Sequence, residues 1–144
     1  MDLSDSARSF LETNHTAAMI TIGEDGMPKA ARCGIGLVDG RLWSSGTRGR
    51  KRTDRLRKDP RCTLFVFGAG FAWLGLETRV KILDGPDAPQ INLRFFRSVQ
   101  GKPSGPLSWF SGELEEDAFL QTMVDEGRLI FEFEITKQYG MPSA

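Results

Sequence analysis

Between Ser45 and Lys58 the chain reads SGTRGRKRTDRLRK, and seven basic side chains fall within the eleven positions from Arg48 to Lys58. The chemistry these residues can do is anion binding. Hydroxyls and free backbone N–H groups at Ser45, Gly46 and Thr47 close a strand, and a helix starts near Lys51 or Thr53. Such a helix start offers unpaired amides and the positive end of a dipole. Arg50 and Arg52 lie two apart, and on extended backbone such residues point the same way. They can clamp one phosphate through forked, charge-assisted hydrogen bonds. Arg55, Arg57 and Lys58 lie further along, on a stretch that reads as solvated or paired with carboxylates. Two other readings compete with a site for a small phosphorylated molecule. One is a plain solvated helix face. The other is a nucleic-acid surface, which binds phosphate by counterion release but finds no interleaved aromatic here for base stacking.

The whole chain balances 19 Lys+Arg against 19 Asp+Glu, so the positive charge is local, which argues against a general nucleic-acid or acidic-membrane binder. At 144 residues the size fits one domain, 1–144, with a real core. Cys33 and Cys62 make neither a disulfide framework nor a metal motif and read as core thiols in a reducing cytoplasm. His15 is the single histidine and cannot build a zinc site with these ligands. The start, MDLSDSARSF, lacks the apolar centre of a signal peptide, and no apolar run approaches the ~20 residues of a membrane span.

The elements that must position the basic stretch are mostly strands. Residues 4–12 predict a short helix capped by Ser4, with Leu3, Ala7, Phe10 and Leu11 at helical spacing. HTAAMITI, KAARCGIGLV, RLWSSG, CTLFVFG, FAWLGLETRVKIL and RLIFEFEI predict six strands. Asp25-Gly26 and Asp39-Gly40 mark hairpins, and Gly34 and Gly36 mark a bend or a close backbone approach. CTLFVFG is apolar on both faces, as a central strand is. In the next strand Leu74, Leu76, Val80 and Ile82 share one face, and Trp73 shares the other with Glu77, Arg79 and Lys81. A tryptophan on the polar face covers a partner chain, a loop or a flat ligand, or packs across strands. Residues 87–100 and 113–125 predict two further helices, separated by the loop GKPSGPLSWFSG. Hairpin-linked strands with few βαβ units make this a mainly β (α+β) protein, a six-stranded antiparallel barrel flanked by short helices.

The run GEDGMPKAARCGIGLVDGRLWSSGTRGRKRTDRLRKDPRCTLFVF resembles the core signature of the pyridoxamine-phosphate-oxidase-like, FMN-binding-like split β-barrel proteins. That signature passes from DG-x-P through two strands to a Ser/Thr strand end, a basic pair and L-x-x-D-P-R. The end, LIFEFEITKQYGMP, is similar to the tail of the deazaflavin (coenzyme F420)-dependent reductase branch. The resemblance covers about residues 10 to 142. It implies a homodimer with cofactor sites in grooves between subunits. The cofactor phosphate then falls to Arg50 and Arg52, where many members carry Lys at the second position. Ser45 and Thr47, flanking Gly46, map beside the phosphate; Lys29 and Arg32 map near the cofactor tail or ring. Phe71 and Trp73 map where an aromatic of the neighbouring subunit reaches the ring. The stretch GKPSGPLSWFSG has no counterpart in the pattern and reads as a lid, a substrate wall or a solvent loop.

The resemblance implies a reductase that passes a hydride from reduced coenzyme F420 to an electron-poor small molecule such as an enone, a quinone or a tetrapyrrole. An FMN-dependent oxidoreductase is the alternative with the same fold, and a non-catalytic cofactor carrier is the alternative of another class. No carboxylate dyad, Ser-His-Asp set or metal cluster is legible, so hydrolysis has no support and no catalytic acid is assigned.

Overall fold

The fold was obtained as a computed structural model, which describes residues 1–143. Helix α1, Asp5–Thr13, starts where expected: Ser4 Oγ accepts the Ala7 N–H at 3.2 Å, and Ala7, Phe10 and Leu11 form its buried stripe. Strands β1 (Thr16–Ile22) and β2 (Pro28–Gly34) follow as an antiparallel hairpin, and alternation turns Ala17, Met19 and Thr21 inward. The Thr21 hydroxyl is buried but satisfied, since Arg55 Nε donates to it at 2.9 Å.

The segment expected as one strand over 29–38 is two. The chain bends at the fully buried Ile35, and β3 (Gly36–Val38) leaves in a new direction. A Cβ at position 36 would lie 2.4 Å from Val99 Cγ1, so only glycine lets the backbone pass. The bend is pinned by His15: the Ile35 N–H donates to the His15 carbonyl at 2.9 Å, and His15 Nδ1 lies 3.1 Å from the Ile35 carbonyl. Because β2 and β3 end up on opposite edges, the main sheet has seven strands, not six: with β4 (Arg41–Thr47), β5 (Arg61–Phe67), β6 (Trp73–Leu83) and β9 (Arg128–Met141), the order is β2-β1-β5-β6-β9-β4-β3. Edge strand β2 meets β4, beyond the end of the short β3, where Ser44 Oγ donates to the Gly34 carbonyl at 2.6 Å. The antiparallel sheet therefore curls, with a seam beside β2.

Asp39 and Gly40, both left-handed (φ 51° and 78°), turn β3 into β4, Arg41–Thr47. After α2 (Lys51–Lys58) come β5 (Arg61–Phe67) and β6 (Trp73–Leu83). As expected, β5 lies inside the sheet, between β1 and β6. Helix α3, Ala88–Gln100, ends on left-handed Gly101. The expected loop over 101–112 contains a small hairpin, β7 (Leu107–Trp109) with β8 (Gly112–Leu114). That pairing delays the next helix, expected from 113, so that α4 runs Glu116–Asp125. The final strand β9, Arg128–Met141, extends past the expected end at 135 because it pairs with β6 along its whole length, through a register shift at Glu77/Thr78.

Inside the curl, Met19, Leu42, Leu64, Leu76 and Phe131 form the main core. Each such fully buried side chain contributes ~1.5–3 kcal/mol relative to exposure. Helix α3 covers the outer face of β4 and β9 through Phe95 against Trp43 and Ile130. A third cluster, Leu93, Leu107, Phe119 and Met123, fastens β7 and α4 to α3.

Candidate functional site

The end of β4 and the start of α2 are joined by the buried Thr53, whose Oγ1 donates to the Thr47 carbonyl at 2.8 Å. Arg50 is the helix N-cap, with extended backbone (φ −81°, ψ 144°), while Arg52 is already in the first turn. The extended-backbone alignment expected for this pair is therefore corrected: the helix starts at Lys51, the earlier of the two expected starts, so Arg52 lies on helical and not extended backbone and the i, i+2 rule does not align it with Arg50. Further along, the basic side chains are occupied. Arg57 pairs with Asp84, Lys58 with Glu24 at 2.6 Å, and Arg55 with Thr21. Among the described residues Arg32, Arg50 and Arg52 make no ion pair with a carboxylate. The D-P-R turn after α2 is a local clamp: Asp59 accepts from the Arg61 backbone and guanidinium, which holds its carboxyl at about 2.

Arg52 reaches the seam. With Arg32 of β2 and Arg128 at the start of β9 it lines a cleft of ≈ 470 Å³, whose other side is built by Phe95, Phe96, Trp109 and Phe110. Arg52 Nη1 lies 3.5 Å from the Arg32 carbonyl, the outer limit of a hydrogen bond. No carboxylate lines this cleft, and although Arg128 is paired with Glu126 at 2.9 Å just outside it, Arg32 and Arg52 keep its potential positive in a chain of zero net charge. Ser45 also lines it. Its hydroxyl donates to Asn92 Oδ1 at 2.6 Å, and Asn92, wholly buried, is oriented by its own Nδ2 donating to the Ala88 carbonyl at 3.0 Å. The Ser45 proton is thus committed, which leaves its oxygen able only to accept a further hydrogen bond. Cys33 borders the cleft as well. Burial pushes its thiol up to about 11, with Arg52 pulling weakly the other way, so it is protonated at neutral pH and no nucleophile. Cys62, deeper in the core, is pushed up to about 12 by burial.

Other candidates fall elsewhere. Gly46 is buried, and the space of its missing side chain is filled by Phe131, whose Cε2 would lie 2.4 Å from a Cβ. Thr47 is half-buried at the strand end, and Arg50 is exposed outside the cleft. Lys29 and Arg32 are three residues apart on one strand and so leave on opposite faces. Lys29 sits in a different cleft, of ≈ 690 Å³, where four carboxylates face four cations and Asp25 lies 3.7 Å away. Phe71 is 90% exposed in the turn before β6. Trp73 stacks on Phe65 at 5.2 Å and meets Tyr139 edge-on at 5.9 Å. Arg32, Ala18, Phe65, Gly75 and Tyr139 are directly paired across four neighbouring pairs of strands, so Arg32 shares the sheet's outer face with these aromatics. A shallow trough floored by Ala18 and Ala30 runs from Arg32 to Phe67.

The fold and cleft define a mainly β protein: a curled antiparallel sheet, flanked by helices, with a basic, acid-free cleft at its seam. The chain belongs to the pyridoxamine 5'-phosphate oxidase family, whose sequence profile matches residues 3–137. Among solved structures it is similar to an F420 reductase (17% identity, TM-score 0.69, covering 95% of this chain and 98% of that one). It is also similar to a protein from Mycobacterium tuberculosis (18%, TM-score 0.72, 96% and 84%) and to an FAD-binding protein from Mesorhizobium loti (20%, TM-score 0.61, 96% and 94%). At these identities the likenesses speak to the fold. A comparison with curated proteins gave no match.

Sequence reasoning missed Arg128, Asn92, Phe95 and Phe96, and left the Trp109-Phe110 stretch open among a lid, a substrate wall and a solvent loop; that stretch lines the cleft. Arg128 reaches the site because it pairs with Thr47 across β4 and β9, an adjacency between residues 81 apart. The one available signal for the wall was the Trp109-Phe110 pair in a stretch otherwise rich in Gly, Pro and Ser.

Proposed function

We propose that the protein is an oxidoreductase that binds a deazaflavin cofactor, coenzyme F420, and reduces an electron-poor small molecule such as an enone, a quinone or a tetrapyrrole. The observation that carries this reading is the acid-free cleft at the seam, with Arg52, Arg32 and Arg128 converging beside the start of α2. The residues fit such a group. Its volume lies in the range of small-molecule sites. Its guanidinium groups suit a phosphate, and the lone pairs of Ser45 suit a ring N–H. When bound, the reduced cofactor supplies a hydride. Arg52 and the α2 amides hold the phosphate, Arg50 adds charge from outside the cleft, and Ser45, fixed by Asn92, orients the ring. Phe95 and Phe96 exclude water from one side. Protons come from solvent, and the Cys33 thiol stays protonated and inert.

The reading includes a homodimer. Phe67, Tyr139 and Met141 are 50%, 41% and 54% exposed, and Phe71 is 90% exposed, on or beside one outer sheet face. A second copy covers these residues and brings Phe71 and Trp73 towards a neighbouring ring. FMN is the second reading, favoured by one observation: Lys29 is paired and lies in another cleft, which leaves fewer cations for a long acidic tail.

Titration of ligand-free protein with coenzyme F420 and separately with FMN, followed by cofactor and tryptophan fluorescence, tests the proposal. Micromolar F420 binding with weak FMN binding is expected. The reverse result replaces it with an FMN enzyme, and binding of neither overturns the cofactor reading.

A further inference from the structure

The hairpin β7–β8 is held as a wall. Gln100 of α3 clamps its first strand at two points: its Nε2 donates to the Ser108 carbonyl at 3.0 Å and its Oε1 accepts the Ser108 N–H at 2.9 Å. Arg97 straps the preceding loop by donating to the carbonyls of Lys102 and Gly105, at 3.2 and 3.0 Å. Trp109 is fixed from several sides. Its Nε1 donates to Glu126 at 3.0 Å, the Arg128 guanidinium lies 5.1 Å over its ring, and Phe96 and Phe119 meet it edge-on. Phe110 is different. It touches Trp109 edge-on at 5.2 Å, borders the cleft and is 90% exposed at the hairpin tip. An aromatic ring held out on a clamped hairpin beside three arginines presents a stacking surface next to positive charge.

We propose that Phe110 and Trp109 form an acceptor-selecting wall, and that the acceptor it selects is a flat aromatic molecule carrying an anionic group. The ring stacks on Phe110. The anion is drawn to Arg128 and Arg32, because Arg52 lies nearest the α2 start and takes the cofactor phosphate. Arg128 shares its charge with Glu126, at 2.9 Å, while Arg32 has no carboxylate partner, so the cleft keeps a net positive field. A clamped wall discriminates by shape and charge rather than by closing. The word acceptor rests on the proposed cofactor reading; the affinity for an aromatic anion does not.

The test is calorimetric titration of ligand-free protein with naphthalene-2-sulfonate and with neutral 2-naphthol, beside the F420 and FMN titrations. The sulfonate is expected to bind at least tenfold more tightly than the naphthol. Phe110→Ala, at an exposed tip, is expected to weaken both probes at least fivefold and cofactor binding by a clearly smaller factor. Arg32→Gln and Arg128→Gln are each expected to shrink the preference for the sulfonate, with thermal melts reporting whether either variant is unfolded. Equal affinity for the two probes, or an unaltered Phe110→Ala variant, overturns the wall even if a cofactor binds. A parallel loss of cofactor affinity in Phe110→Ala overturns the acceptor assignment and returns the hairpin to the cofactor site. Absence of cofactor binding with the probe pattern intact overturns the cofactor reading and leaves the wall standing.

Discussion

Single side chains decide how the cleft treats charge. Arg52 lines it and Arg50 does not, although the two are equally basic in sequence. Arg52→Ala is therefore expected to weaken cofactor binding about ten- to hundredfold, the loss of one charge-assisted hydrogen bond of ~1.5–3 kcal/mol. Arg50→Ala is expected to cost less, and fluorescence titration of the two variants separates them. The buried thiols make a second prediction. Cys33 and Cys62 ionise near 9 ordinarily, and burial raises them to about 11 and about 12. The folded chain thus keeps protons that the unfolded chain releases. Their contribution to stability is complete below pH 9 and falls as pH climbs through 11 to 12, by ~1.4 kcal/mol per pH unit for each thiol. Urea melts between pH 8 and 11 are expected to show this decline, and a Cys33→Ala, Cys62→Ala variant is expected to show a shallower one.

At the scale of elements, the site depends on how closely strands and helices approach. Strand β4 packs its Gly46 against the Phe131 ring of β9 with no room for a methyl group. Gly46→Ala is expected to destabilise the fold by ~1–3 kcal/mol through overpacking, measured by chemical denaturation. Gly46 was legible as part of a strand end, but its reason for being glycine was not, since Phe131 is 85 residues away. The split of 29–38 into two strands has the same origin. Gly34 and Gly36 signalled a bend in the sequence, yet its sharpness follows from Val99 of α3 pressing on Gly36. Asn92 sits inside a helix that reads well from its apolar spacing, and only the approach of β4 turns it into the partner of Ser45.

For the whole molecule, the arginine cleft and the aromatic outer face are separate features joined through Arg32 and the Ala18–Ala30 trough. If a second copy covers the aromatic face, placing charge there separates the chains. The pair Phe67→Glu and Phe71→Glu is expected to convert a dimer to a monomer by light scattering, with an unchanged far-ultraviolet spectrum. Cofactor affinity is expected to fall in parallel where the groove is shared. Among the described residues no helix is long and apolar enough to cross a membrane.

Local rules written in the sequence determined most elements: Ser4 capping α1, Asp39-Gly40 turning β3 into β4, alternation in β1 and β6, and a basic run at the start of α2. The family signature, too, is carried by ordered short-range pieces. Tertiary structure alone decided which of seven basic side chains face one cleft, and that Arg32, Arg128 and the Trp109-Phe110 wall join Arg52 there. The physical reason is that hydrogen bonds within turns and helices depend on neighbours in the chain. A cleft at the seam of a curled sheet depends on strands paired across many tens of residues, and no local spacing encodes which of them meet.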